Sequence, residues 1–592
     1  MKTQLCRFFI TLYTFFLINV CFGVQLIDIT NTDNSLILLR VKDMDGQNQS
    51  ILYSFPKFIP STITNVVTRT NITNEIIYIY KTNVVNNTNI ITYIATNYIY
   101  KTNYLTSTNF TVITNILYVT NVISLTNTVN YTNYIQITND ISVTNDVPVV
   151  TNTVPDTTNN PIVKNVVYVY SGATGSRTNG LDWKNALKSI PSSFKRGYTY
   201  LIAKGSYGGV SASTAVSGTN YVYIIKATES NHGTNYGWSS DMAEQVIFTA
   251  FYITTPYWYI DGAYRNDDWR SGYGFKINNT GNKEAIHLGS GSLSASWGGQ
   301  DSSAGNIVIK NVEINGTGLD SSIHDVAIKG VWGINNLLVS KCYFHDFGNC
   351  VFITDHNSGW TLEYSVFARN SSDSVYHAEG LAGQGDSNLT IRYCIWEDIE
   401  GTGFIVNLGR DSSVYKADNW QIYGNVFMYT INNPYKRTGV GDGAIVCLSD
   451  ASNKEYATNW KIYNNTFYNI PGYCSGVEFG ASPASGVPNN SNIQVYNNFW
   501  YSNDAPANQT LGSCTSCISD YNRFDKTSYT GTQANSEVNS SADSSIFVDL
   551  SAKNFRLTRA TKAGITLSSP YDEDMDGKKR NFNGWDIGAF DY

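Results

Sequence analysis

Residues 459–467 read NWKIYNNTF, and the same nine-residue phrase returns as NWQIYGNVF at 419–427 and as NIQVYNNFW at 492–500. Asn459, Ile462, Asn465 and Phe467 hold matching places with Asn419, Ile422, Asn425 and Phe427, and with Asn492, Val495, Asn498 and Trp500. Apolar residues at every second place mark a short strand, and an amide beside them marks a turn. Working backwards, the phrase recurs as Asn388, Ile391, Cys394, Trp396; as Gly359, Leu362, Ser365, Phe367; and as Asn336, Val339, Cys342, Phe344. Asn306, Ile309, Val312 and Ile314 make a degenerate copy. From Ile314 onward the last positions lie 30, 23, 29, 31, 40 and 33 residues apart, too irregular for helical-hairpin repeats. Each unit has one apolar side that it cannot bury alone, so it must stack on its neighbours. The expected result is a solenoid of parallel coils. Phe344, Phe367, Trp396, Phe427, Phe467 and Trp500 would form one buried ladder, and Asn425, Asn465 and Asn498 an amide ladder at a turn.

A second repeat lies upstream. Thr-Asn pairs begin at Thr96, Thr102, Thr108, Thr114, Thr120, Thr126, Thr132, Thr138 and Thr144, six residues apart each time. An even period keeps equivalent side chains on one face of a strand. One face then reads Asn115, Leu117, Val119 and again Asn121, Ile123, Leu125. This apolar row calls for coiling into a hexapeptide solenoid or for self-association with the same segment of other chains. A disordered linker is the third reading. In all three cases residues 61–161 are a stalk or spacer.

The chain starts with Lys2 and Arg7 before an apolar run from Phe8 to Val20, the layout of a signal peptide ending at Gly23. Such a run is too short for a transmembrane segment, which needs about 20 apolar residues. Residues 24–60 then form an N-terminal segment, and residues 165–592 the β-helix domain. A secreted or cell-surface location is expected. The formal charge of −7 with no basic run excludes an electrostatic footprint for nucleic acid. Aromatic residues make up 14%, with 42 Tyr. Rings of this kind suit sugar surfaces, having an apolar face and a polar tip. Cys514 and Cys517 are spaced for a local disulfide or two thiols, with no His nearby to complete a zinc site.

The stretch from Tyr168-Val-Tyr170-Ser171-Gly172 through Gly180-Leu-Asp182-Trp183 to Ala203-Lys204-Gly205-Ser206-Tyr207 resembles the opening of the right-handed parallel β-helix (pectate-lyase-like) superfamily. Asp574-Met-Asp576-Gly577, with Arg580 and Asp586-Ile587-Gly588-Ala589-Phe590, is similar to its close. The resemblance spans about residues 165–592 and implies an all-β, right-handed parallel β-helix. It also implies a small N-terminal capping helix around Trp183–Ile190. Fold alone does not settle activity.

Counting from each rung's aromatic locates groups that stack. Asp355 and His356 follow Phe344 by 11 and 12 residues; His377 and Glu379 follow Phe367 by 10 and 12. Asn407 and Arg410 follow Trp396 by 11 and 14, and Lys436 and Arg437 follow Phe427 by 9 and 10. With coils about 4.8 Å apart, these groups would make a charged patch spanning roughly 15 Å. In lyases of the superfamily it resembles, a cation neutralises the uronate carboxylate and a base removes the neighbouring proton. The resemblance thereby implies His377, Arg410, Lys436 and Arg437 as catalytic candidates. It implies Asp355, His356, Glu379 and Asn407 as substrate-binding, and Asp355 and Glu379 as ligands for calcium. A hydrolase would instead need two carboxylates, for which Asp355, Glu379 and Asp386 are available. The acids at 572–576 read as a structural turn.

Two function classes follow. One is binding or cleavage of extracellular polysaccharide, with an acidic-polysaccharide lyase as its sharpest form. The other is a non-catalytic surface adhesin or structural fibre.

Overall fold

The computed structural model describes residues 165–592 except 290–303, 374–377, 402, 410–412, 431–442, 449–453, 472–474, 481–484, 505, 508, 512–513, 530–532 and 582–583. Before residue 165 it describes only the backbone of strands between Gln25 and Val143. The expected signal peptide lies outside the described residues. The chain divides into two compact units, Met1–Asn159 and Asn160–Tyr592.

In the first unit, Gln25–Asp33, Leu36–Lys42 and Asn48–Ser54 form an antiparallel sheet. Farther on, short strands pair in parallel: Leu105–Ser107 with Ile123–Leu125, Ile123–Leu125 with Ile141–Val143, and Leu117–Val119 with Ile135–Ile137. Each partner lies 18 residues, or three hexads, along the chain. These hexad strands therefore pair within one chain, three repeats apart.

The second unit is a right-handed parallel β-helix with three sheets of 12, 12 and 10 strands. The first sheet runs from Val166–Val169 to Ile518–Asp520, the second from Gly205–Ser206 to Glu537–Asn539, and the third from Val210–Ala212 to Gln509–Thr510. The repeated phrase supplies the first two sheets and the bends around them. Its opening residue is left-handed at every coil: φ is 51° at Asn306, 58° at Asn336, 53° at Asn388, 56° at Asn419, 59° at Asn459 and 54° at Asn492. Gly359 takes the same place at 73°. Asn and Gly tolerate this conformation best, which is why the phrase begins with one or the other.

The core follows from this register. Phe344 pairs with Phe367, Phe367 with Trp396, Trp396 with Phe427, Phe427 with Phe467 and Phe467 with Trp500. All six are fully buried, and consecutive ring centroids stand 4.2–6.2 Å apart. At the bend between the first two sheets, Asn425 donates from Nδ2 and from its backbone N–H to Asn465 Oδ1, both at 3.0 Å. Asn465 does the same to Asn498, at 2.9 and 3.0 Å, and Asn498 to Asn522. Each buried amide thus satisfies its neighbour in the next coil.

The expected capping helix is absent: among the described residues there is no α-helix. Gly180 and Pro191 leave too short a segment for a stable helix. Leu187 instead bridges the first strand, donating to the Tyr168 carbonyl and accepting from the Tyr170 N–H. Asp182 caps this turn by accepting from Asn185 N–H at 2.8 Å. The closing motif lies along the flank of the stack. Trp585, Ile587 and Phe590 pack with Tyr423, Tyr463 and Phe499, and Ala589 N–H bonds Thr466 Oγ1 at 3.0 Å. Asp574 accepts from the N–H groups of Asp576, Lys578 and Asp591, which makes the acidic string there a turn. Cys514 and Cys517 form a disulfide.

Phe467 is sandwiched between two rings of the ladder, so Phe467→Ala should cost about 3–5 kcal/mol in urea unfolding. A loss under about 1 kcal/mol would mean that the ladder does not carry the core.

Candidate functional site at the edge of the third sheet

The third sheet ends on a polar cluster gathered from consecutive coils. Strand Phe352–Asp355 runs into His356, whose φ of 53° turns the ring out of the sheet. Trp332 stacks on one face of this imidazole, with centroids 4.2 Å apart and planes 10° apart. Tyr415 meets it edge-on at 4.3 Å. Gly385 closes the third side: a Cβ there would stand 3.2 Å from His356 Nε2, so the position leaves little room for a side chain.

Asp355 is buried and hydrogen-bonds His356 Nδ1. A carboxylate can only accept, so Nδ1 carries the proton and Nε2 is left bare in the neutral ring. The His356 side chain remains 22% exposed. Burial disfavours its charged form, but the bond and charge of Asp355, with the nearby Asp386 and Glu455, outweigh this and raise its pKa above the ordinary value.

Asp386 lies behind the ring, accepting from Thr354 Oγ1 at 2.6 Å and Asn357 N–H at 2.8 Å. Burial pushes its pKa up to about 7 against those two bonds, and the Asp355 charge adds to the rise. Glu455 begins strand Glu455–Thr458, paired opposite Tyr415. Its Oε2 accepts from Asn407 Nδ2 at 2.8 Å, and the Gly385 N–H also bonds it. Burial pushes Glu455 up to about 8. Its Oε1 and the Asn407 Oδ1 are buried with no partner. The cluster therefore holds one partly exposed imidazole backed by two carboxyl groups that keep their protons near neutral pH.

Farther along the outer face, Glu284 accepts from His287 Nδ1 at 2.9 Å and pairs with Lys329 at 3.3 Å. His287 pairs in register with Lys329, and Lys329 with Ile353, two residues before Asp355.

Of the residues marked by offset counting, the structure brings Asp355 and His356 together. Asn407 is fully buried and engaged with Glu455 and Cys447, so it supports the cluster and does not face a substrate. Glu379 is also displaced. Leu381 pairs with Phe352 but follows its rung aromatic by 14 residues where Phe352 follows by 8. The six extra residues put Glu379 ahead of its strand, where its carboxylate accepts from the Cys350 thiol at 3.2 Å. Cys350 precedes Asp355 by five residues, roughly 16 Å of strand. Asp355 and Glu379 therefore cannot share one calcium ion, whose ligands lie about 2.3–2.6 Å from it. Among the described residues no three His, Cys, Asp or Glu side chains converge on a metal position. His377, Arg410, Lys436 and Arg437 lie outside the described residues.

The chain matches no protein-family model and no curated protein. Among solved structures it is similar to the A-module of the Azotobacter vinelandii mannuronan C-5 epimerase AlgE6, with 13% identity over 58% of this chain and 90% of that one, at a TM-score of 0.23. It is also similar to the catalytic domain of a GH87 α-1,3-glucanase in complex with tetrasaccharides: 12% identity, 64% and 69% coverage, TM-score 0.27. A third is the GH136 lacto-N-biosidase from Eubacterium ramulus, with 11% identity, 63% and 68% coverage and a TM-score of 0.24. Likeness this remote says nothing of what this chain binds or does.

Offset counting missed Glu455, Trp332, Tyr415 and the Glu284–His287–Lys329 group. A signal for Glu455 does exist: residues 415–420 (YKADNW) and 455–460 (EYATNW) are aligned copies that place Tyr415 and Glu455 four residues before the opening Asn.

The raised acids make a stability prediction. Between their ordinary values near 4 and their folded values near 7 and 8, the folded state holds protons that the unfolded chain has released. Stability should therefore fall as pH rises through this window and level off above about pH 8. About three units correspond to roughly 4 kcal/mol for each group. Urea unfolding at pH 5 and pH 8.5 should show a smaller fall for Asp386→Asn and Glu455→Gln than for the wild type. An equal fall in all three would place these acids in water.

Proposed function

We propose that the protein is secreted or surface-displayed and that its β-helix binds and cleaves extracellular polysaccharide at the His356 cluster, as an acidic-polysaccharide lyase. The observation that carries this reading is the Asp355-held imidazole, partly exposed between Trp332 and Tyr415 with its Nε2 bare. In β-elimination Nε2 takes the proton from the carbon beside the uronate carboxylate. The electrons form a double bond to the next carbon and expel its glycosidic oxygen, which takes a proton back from the imidazolium. The rings of Trp332 and Tyr415 offer apolar surface for the sugar. Calcium remains an expectation from the family resemblance, and activity that survives a chelator would remove it.

The test is incubation of the full chain with polygalacturonate, alginate and other acidic polysaccharides, followed by ultraviolet absorbance of unsaturated products. His356→Ala should lower the rate by about 100-fold or more. Activity should rise with pH along a limb above about 6.5, because the base must be neutral and Asp355 holds the proton on it. Asp355→Asn should move that limb to lower pH. An unchanged rate in His356→Ala would rule out this assignment. The raised carboxyls of Asp386 and Glu455 favour a second reading, hydrolysis, which would yield reducing ends without absorbance. Binding with neither product would leave the adhesin.

A further inference from the structure

The outer face of the second sheet carries a row of charges that crosses four successive coils. Strands Phe275–Asn278, Val312–Asn315, Tyr343–Phe347 and Val366–Asn370 lie side by side there. Phe344 and Phe347 both pack in the core, so the two residues between them, His345 and Asp346, share the outer face. The left-handed φ of 61° at Asp346 allows this, because it interrupts the alternation of the strand.

Both nitrogens of the buried His345 ring meet a carboxylate. Nδ1 lies 2.6 Å from Asp346 Oδ2, and Nε2 lies 3.3 Å from Glu313 Oε1 in the preceding coil. Each carboxylate is also held by a cation. Lys276 Nζ donates to Glu313 Oε1 at 2.5 Å, and Arg369 donates to Asp346 through Nε at 2.7 Å and Nη2 at 2.9 Å. Arg369 Nη1 donates to the Tyr343 hydroxyl at 3.0 Å, and the Tyr343 ring stacks on His345 with centroids 4.3 Å apart. Burial works against both carboxylates, but the bonds from His345 and from these cations hold Glu313 and Asp346 below the ordinary range. Both are therefore ionised and can only accept.

A neutral imidazole has one N–H, so in either tautomer one of the two carboxylates would face a bare ring lone pair. Only the imidazolium satisfies both. Charge then alternates along the row, from Lys276 through Glu313, His345 and Asp346 to Arg369. Burial disfavours the charge on the ring, but the bonds of Asp346 and Glu313 outweigh both burial and the repulsion of Arg369, and raise its pKa above the ordinary value.

We infer that His345 is a pH-sensitive latch: as an imidazolium it ties the coil of Glu313 to its own, and on losing a proton it releases one carboxylate and loosens the second sheet there. A group whose pKa is higher folded than unfolded stabilises fully below its unfolded value, near 6.5, and that stability is lost as pH rises through the folded value. The latch closes in acid and opens in alkali. It does not depend on the His356 cluster, which stands at the edge of the third sheet.

The test is hydrogen–deuterium exchange of the full chain, read by mass spectrometry at about pH 6 and about pH 9 beside His345→Gln, which can hydrogen-bond but cannot titrate. Peptides over residues 312–315 and 343–347 should be better protected in the wild type at the lower pH, and this advantage should vanish at the higher. A peptide over residues 494–496 should not differ at either. Glu313→Gln keeps an acceptor for the ring and removes its charge, so protection should be lost at a lower pH than in the wild type; this variant carries the comparison if His345→Gln does not fold. An advantage of equal size at both pH values would make His345 a structural residue and overturn the latch, as would no advantage at either, or a Glu313→Gln profile that matches the wild type.

Discussion

The rest of the β-helix depends on the bond by which one coil's asparagine receives both the side-chain and backbone N–H of the asparagine in the coil before. Asn425, Asn465, Asn498 and Asn522 are buried where an unmet amide would cost about 1–3 kcal/mol, so a coil slipped by one residue loses several bonds at once. A slip would also turn every side chain to the other face. With register held at this corner, Phe427 has to land on Phe467 and Phe467 on Trp500.

What is constant in a coil was therefore readable, and what varies was not. From the opening Asn or Gly to the aromatic, the spacing is always eight residues, and the residue types state their reasons: a left-handed bend, a core aliphatic, a ladder amide, a core ring. The third sheet lies beyond that phrase, and insertions accumulate on both sides of it. Paired strands there follow their aromatics by 8 residues at Phe352 and 14 at Leu381. Counting across such a gap kept Asp355 and His356 together but moved Glu379 to the wrong end of its strand. The capping helix failed for another reason, since the backbone around Leu187 bonds better to the neighbouring strand than to itself.

The same division explains where chemistry can gather. The corner between the first two sheets has no freedom, whereas the bends after the third sheet accept insertions without disturbing a ladder. They bring Asp355–His356, Asp386 and Glu455 from different coils to one place. Burial does the remaining work: it lifts Asp386 and Glu455 toward neutrality, while the bond and charge of Asp355 hold the proton on His356. A site of this kind is a property of stacking, and no single coil contains it.

The central claim is that these groups from separate coils form one proton-linked cluster. The most direct test is an NMR titration of the imidazoles, of which the chain has six, with His356→Gln to assign the resonance. The account predicts that His356 titrates above the ordinary histidine value near 6.5 and moves down in Asp355→Asn. A His356 that titrates at the ordinary value, indifferent to Asp355, would contradict it.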